Sequence, residues 1–186
     1  MPAMRALALF DSVELMLCQT LNRRARHAPT RRFFALVSRF GDGVLWYSLM
    51  ATLVVTQGDA GMLAAVQMGL TALVGVVLYK LLKGSLIRRE RPFMTHKSIL
   101  CATAPLDRYS FPSGHTLQAV LFSVIAVAWF PALLPLLLPT VVLIALSRVV
   151  LGLHYPTDVL VGGLIGWILA SLSLWLRPAT TVVIGT

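Results

Sequence analysis

From residue 44 onward the chain is a succession of long apolar runs broken by short Gly- and Pro-containing turns. Read at about 20 residues per crossing of a bilayer, the runs predict spans over 44–57, 62–82, 113–130, 133–151 and 156–177. The first is short for a hydrocarbon core and requires local thinning or a tilted neighbour. Gly58-Asp59-Ala60-Gly61 reads as the turn between the first two spans. Pro135 and Pro139 place the start of the fourth later than its first apolar residue, and Pro156 opens the fifth as its first helical residue.

Before residue 44 the pattern differs. Residues 5–21 bring Leu7, Phe10, Glu14, Leu17 and Leu21 to near-helical spacing, with Asp11, Ser12 and Gln19 on other faces. A second amphipathic stretch runs from Asn22 to Phe40 around Pro29. Both read as helices in the membrane interface rather than spans. The pattern predicts an all-α, polytopic membrane helix bundle of about five spanning helices preceded by interfacial amphipathic helices. It divides into an N-terminal segment 1–43, an embedded domain 44–177 and a tail 178–186.

Composition supports this class: 58% of the 186 residues are hydrophobic and 12% charged, against roughly 45–50% and about 25% in soluble domains. The net charge of +9 is concentrated in Arg23 to Arg39 and Lys80 to Arg108, with Arg148 and Arg177 apart. On so apolar a chain these cations suit anionic lipid or a phosphate-bearing substrate, and not nucleic acid. Cys18 and Cys101 lack ligand or redox spacing and read as unpaired. Asp11 and Glu14 interrupt the first apolar run, so no signal peptide is read there. Two of the five spans separate the basic segment 22–43 from loop 83–112, and two more separate that loop from loop 152–156, which puts both loops on the same face as the basic segment. That arginine excess predicts a multi-pass protein of the cytoplasmic membrane with this face toward the cytoplasm. Gly162, Gly163 and Gly166 read as a close helix-packing surface. No internal repeat stands out, which disfavours an inverted-repeat transporter.

The candidate chemistry lies on that face. Phe111-Pro112-Ser113-Gly114-His115 precedes an apolar helix, whose unpaired N–H groups and positive dipole end favour an anion. His115 adds a group that exchanges protons near neutral pH. A second cluster holds Lys83, Arg88, Arg89, Arg91 and Pro92, and a third Ser147, Arg148, His154 and Asp158. Arg148 is a charge near the end of an apolar helix, costly unless it faces a cavity or a partner. Asp158 can accept the Nδ1–H of His154, leaving Nε2 free as a nucleophile. Taken singly, these residues also read as helix caps, turn residues and headgroup anchors. Together they supply what phosphoryl transfer demands: cations and N–H donors for the phosphoryl oxygens, a nucleophile and an acid. Such chemistry requires neither a metal nor a cofactor.

In these residues the chain resembles the type 2 phosphatidic acid phosphatase superfamily. The family pattern is Lys, six residues, Arg-Pro; then Pro-Ser-Gly-His; then Ser-Arg, five residues, His, three residues, Asp. Pro112-Ser113-Gly114-His115 and Ser147-Arg148 with His154 and Asp158 match both later blocks. The first departs from it, because seven residues separate Lys83 from Arg91-Pro92. Either the helix after Leu82 is locally loosened, or Arg88 stands in for Lys83; Lys83 ranks first. The resemblance implies an integral-membrane phosphatase acting on a lipid phosphate or polyprenyl (di)phosphate. His154 would form a phosphohistidine, Asp158 orient it, and His115 protonate the leaving alkoxide and later activate water. Lys83, Arg91, Arg148, Ser113 and Gly114 would hold the phosphate. The competing readings are a non-catalytic lipid-binding or transport protein on the same fold, and a vanadate binder like the soluble haloperoxidases of the superfamily.

Overall fold

The computed structural model describes residues 2–83, 87–105 and 107–176; the tail 178–186 lies outside them. Among the described residues seven α-helices follow one another: α1 (Pro2–Arg23), α2 (Ala28–Phe40), α3 (Val44–Leu81), α4 (Pro92–Thr95), α5 (Gly114–Trp129), α6 (Leu134–Val150) and α7 (Pro156–Trp175). Three apolar stretches, Val44–Leu81, Pro131–Val150 and Pro156–Trp175, are long enough to cross a membrane, and α5 is a shorter apolar helix. Large apolar side chains stay uncovered on the outer faces, among them Val55, Leu160 and Trp175. So much apolar surface calls for lipid rather than water around it. The chain is a multi-pass, all-α membrane bundle.

The first two expected spans form one 38-residue element, folded back at Gly58, which has φ 56° and ψ −129°. Past that point Gly61 lies so near Leu53 that a Cβ on it would come within 1.9 Å of the Leu53 carbonyl oxygen. The turn expected at 58–61 is therefore there, compressed to a single non-helical residue, and the two arms of α3 lie side by side. The expected late start of the fourth span is not observed. Pro135 sits in the first turn of α6, where a missing N–H costs nothing. Pro139 lies inside the helix, which forgoes one backbone hydrogen bond there.

Lipid offers helices little hydrophobic drive to associate, so close backbone packing and interhelical hydrogen bonds must hold them. The α5–α7 contact has both features. A Cβ on Gly162 would lie 2.5 Å from the Ser113 carbonyl oxygen, and one on Gly166 2.3 Å from that of Leu117. Gly163 faces only side-chain methyls at 3.6 and 3.7 Å. Deeper in the bundle, Thr71 Oγ1 donates to Ser173 Oγ (2.8 Å) and Trp129 Nε1 to Gln67 Oε1 (2.7 Å), tying α3 to α7 and α5. The Trp46 and Phe122 rings stack at 5.2 Å between α3 and α5.

The N-terminal helices are docked as well as amphipathic. On α1, Glu14, Cys18 and Asn22 are buried, while Leu9, Val13, Met16 and Leu17 face outward. The Asn22 amide donates to the carbonyls of Leu100 (2.9 Å) and Val150 (3.0 Å) and accepts from the Leu100 N–H (2.7 Å). Gly152 in the α6–α7 turn has φ 76°, and a Cβ there would sit 2.5 Å from the Leu100 carbonyl oxygen. Only glycine suits both the conformation and the approach.

Gly166→Ala should destabilise the bundle by about 2 kcal/mol, because a backbone oxygen opposes the added methyl and cannot rotate away. Gly163→Ala should stay within about 0.5 kcal/mol of wild type. Thermal unfolding in detergent would compare them; equal melting temperatures for the two variants would contradict the packing described.

Candidate active site

The three polar clusters meet where the α2–α3 turn, the segment after α3, the start of α5 and the α6–α7 turn come together. The helix after Leu82 is locally loosened on the described side of Lys83, where Leu82 and Lys83 are in π conformation. Beyond Leu81 the helix widens, with the Ile87 N–H donating to the Leu82 carbonyl five residues back at 3.0 Å, a π-type turn. Lys83 and Arg91 then converge on Asp107, whose Oδ1 accepts from Lys83 Nζ (2.8 Å) and Arg91 Nη2 (2.7 Å). Lys83 is 6% and Arg91 1% exposed, so the two cations are withdrawn from solvent and share one carboxylate. Arg88, the alternative to Lys83, is exposed.

Arg91 also fixes the nucleophile candidate. Its Nη1 donates to the Leu153 carbonyl (2.7 Å) and lies 3.3 Å from His154 Nε2. The N–H groups of both Leu153 and His154 donate to the Arg148 carbonyl at 3.1 Å, so the end of α6 sets the imidazole's position. Burial, and after it the charges of Arg148, Arg91 and Lys83, push the His154 pKa well below its ordinary value and keep the ring neutral. Lys83 is pushed down to about 8, chiefly by burial and against the pull of Asp107.

Asp158 stands behind the imidazole, fully buried. Its Oδ2 accepts from the Tyr155 N–H (2.8 Å) and lies 3.7 Å from His154 Nδ1. That separation is Coulombic contact rather than the expected hydrogen bond, and Nδ1 is buried without a hydrogen-bond partner. The other oxygen, Oδ1, accepts from Arg89 Nη1 at 2.9 Å.

Ser113 and Gly114 begin α5 close to the same place. The Ser113 N–H donates to the Asp158 carbonyl (2.9 Å), and its Oγ pairs with Thr116 Oγ1 (3.0 Å). A Cβ on Gly114 would meet the Tyr79 ring at 2.9 Å, and the Tyr79 hydroxyl accepts from Lys83 Nζ at 2.9 Å. One aromatic ring thus links the Gly of one motif to the Lys of another. His115 sets its Nε2 against the Asp42 carboxylate. Burial by itself would raise the Asp42 pKa, but His115, Arg148 and Arg39 outweigh it and hold the carboxyl below its usual range. Arg148, 3% exposed, donates from Nη1 to Ser38 Oγ of α2.

Two cavities meet at Asp42 and His115. One, of about 460 Å³, is an apolar groove between the arms of α3 and α5, lined by Trp46, Met50, Gly69, Leu73 and Phe122. The other, of about 690 Å³, is lined by Arg32, Ser38, Arg39, Thr103 and Arg148. All eight residues singled out in the sequence therefore come to one region. Arg89, named in the second cluster without a role of its own, joins them, and so do Tyr79, Asp107, Asp42 and Glu14, none of them singled out as a site residue. Glu14 carried the only legible signal, an acid within an apolar helical stripe.

The PAP2 superfamily model matches residues 61–181. The chain is 45% identical over 80 residues to the decaprenylphosphoryl-5-phosphoribose phosphatase of Mycolicibacterium smegmatis, covering 41% of this chain and 40% of that protein. It is 28% identical over 144 residues to the undecaprenyl-diphosphatase of Sulfolobus acidocaldarius, covering 76% and 68% respectively. The match thus spans less than half of the mycobacterial relative and about two thirds of the archaeal one. Aquifex aeolicus LpxE superposes with a TM-score of 0.74 at 28% identity, over 87% of this chain and 94% of that one. With the three motif blocks assembled at one end of an α-helical membrane bundle and the family model covering more than half of its length, the chain belongs to the PAP2 superfamily.

Proposed function

We propose that the protein is an integral-membrane phosphatase that hydrolyses a lipid phosphate or polyprenyl (di)phosphate through a phosphohistidine. The observation that carries this reading is the Asp107 carboxylate held by Lys83 and Arg91, with Arg91 reaching on to His154 Nε2. An oxyanion already sits between two buried cations beside a neutral imidazole nitrogen, as a substrate phosphoryl oxygen would.

In the proposed reaction His154 Nε2 attacks phosphorus and the bond to the leaving oxygen breaks. His115 gives that alkoxide its proton. The phosphoimidazole ring then carries positive charge, which Asp158 stabilises across Nδ1. Water next attacks phosphorus and yields a proton to His115; the P–N bond breaks and inorganic phosphate leaves. Lys83, Arg91, Arg148, the Ser113 hydroxyl and the Gly114 N–H balance the phosphoryl oxygens throughout. The apolar groove supports a lipid as the leaving alcohol, because it opens at His115, the group that protonates that alcohol. The names of the mycobacterial and archaeal relatives put those two proteins' substrates among polyprenyl phosphates, and a panel of polyprenyl, glycerolipid and lipid A phosphates would find this protein's own.

His154→Ala and His115→Ala should each lower phosphate release from a lipid phosphate in detergent by at least about 100-fold, with elution and melting like wild type. Wild-type turnover by either would end the assignment. The lowered pKa of Lys83 gives a pH signature. Its charge is lost as pH rises through about 8, so kcat/KM should fall above that point. Lys83→Arg, whose guanidinium stays charged, should extend the plateau upward; an unchanged alkaline limb would remove Lys83 from the phosphate site.

The site faces the cytoplasm in this reading, supported by the arginines of 23–39, which lie on its face. A single cysteine replacing Arg26 should resist a membrane-impermeant thiol reagent in intact cells and react after lysis. Labelling in intact cells would reverse the orientation.

A further inference from the structure

Behind the catalytic cluster lies a chain of charges that begins outside the family match, on α1. Glu14 is 4% exposed. Its Oε1 accepts from the Thr157 N–H at 2.9 Å and from the Thr157 hydroxyl; its Oε2 accepts from Arg89 Nη2 at 2.5 Å. Arg89 Nη1 then donates to Thr157 Oγ1 (2.8 Å) and to Asp158 Oδ1 (2.9 Å), and the guanidinium lies over the Tyr155 ring with its Cζ at 3.8 Å. Asp158 is in turn the carboxylate 3.7 Å from His154 Nδ1.

Two carboxylates thus share one guanidinium, and the far one serves the imidazole. Resting on the phosphatase reading above, we propose that Glu14 is a positioning residue for the reaction: through Arg89 it sets the place and the charge of Asp158 behind His154. Attack on phosphorus puts positive charge on the imidazole, and Asp158 must then close from 3.7 Å toward the roughly 2.8 Å of a charge-assisted hydrogen bond. Arg89 opposes that movement, because a guanidinium with a single carboxylate partner holds it and neutralises it. Glu14 divides the guanidinium's attraction between two acids and leaves the Glu14–Arg89–Asp158 chain with a net negative charge next to the ring. The same Glu14 carboxylate accepts the N–H at the second residue of α7, where a negative charge is favoured, so α1 locks the turn that carries His154.

A residue that merely anchored α1 would alter stability and leave the chemical step intact. The two roles separate in Glu14→Gln, which keeps the shape and an acceptor for the Thr157 N–H but loses the charge. With a water-soluble phosphate monoester as substrate, Glu14→Gln should lower kcat by at least the factor of about 10 that the loss of an outer partner costs a ligating imidazole. KM should stay within twofold, and phosphohistidine formation in a single turnover should slow by the same factor. Glu14→Asp, which retains the charge, should recover most of kcat, and Asp11→Asn on the exposed side of α1 should match wild type. A folded Glu14→Gln protein with wild-type kcat overturns the proposal, as does an Asp variant that falls as far as the Gln variant. If Glu14→Gln is not recovered folded, Arg89→Gln tests the link from its other end; the same loss in kcat supports the proposal and full turnover overturns it. Wild-type protein without turnover would instead fell the phosphatase reading, and this inference with it.

Discussion

Buried positive charge is the constraint around which this molecule is arranged. Lys83, Arg91 and Arg148 are each at most 6% exposed at the end of an apolar bundle, where an unpaired cation would cost several kcal/mol. The chain has seven acidic residues, and four of them answer the cations and histidines of this end: Asp107 pairs with Lys83 and Arg91, Asp42 faces His115, Asp158 stands by His154, and Asp158 and Glu14 share Arg89. Their placement explains why elements distant in sequence must meet. The turn before α3 brings Asp42, the loop before α5 brings Asp107, and α1 brings Glu14. The carboxylates are counter-charges first, and the site's geometry follows from where they must sit.

The same constraint orders the site electrically. His154 is kept neutral by burial and by the cations in front of it, while an acidic pair stands behind it. In the proposed reaction an incoming phosphate would meet cations on its own side of the imidazole and a carboxylate on the far side. That is the polarity needed to draw electron density from the ring toward phosphorus. Asp107 balances Lys83 and Arg91, and its side chain is 34% exposed where theirs are buried.

Much of this was legible in the sequence because membrane helices leave few places for polar residues. The apolar runs gave the helices, and the motif spacings of 112–115 and 147–158 named residues that the fold brings together. Close packing of the last helix was readable from Gly162, Gly163 and Gly166, since in lipid small residues at such spacing have few other uses, but the partner helix was not, and Gly163 turns out to lie off the contact. What escaped was set by tertiary pairing. Nothing local to Asp42 or Asp107 reveals which cation each will meet, and Glu14 looks like one polar residue on an interfacial helix until α1 is seen docked against Thr157 and Arg89. Pro139 misled because the cost of one absent hydrogen bond is small beside the burial of a continuing apolar helix. The seven-residue spacing after Lys83 could be recognised as an anomaly, but the π conformation at Leu82 and Lys83 is a backbone property that side-chain identities do not encode.

The near-contact of α5 with α7 carries a mechanical implication. Because Gly162 and Gly166 let the two backbones touch, and the Ser113 N–H is bonded to the Asp158 carbonyl, His115 and the residues around His154 ride on one stiff joint. The hinged arms of α3 and the amphipathic α2 line the cavities without belonging to that joint. Descendants of this chain could therefore reshape the walls that meet different lipids while the reacting groups keep their mutual distances, which separates the inheritance of chemistry from the inheritance of taste.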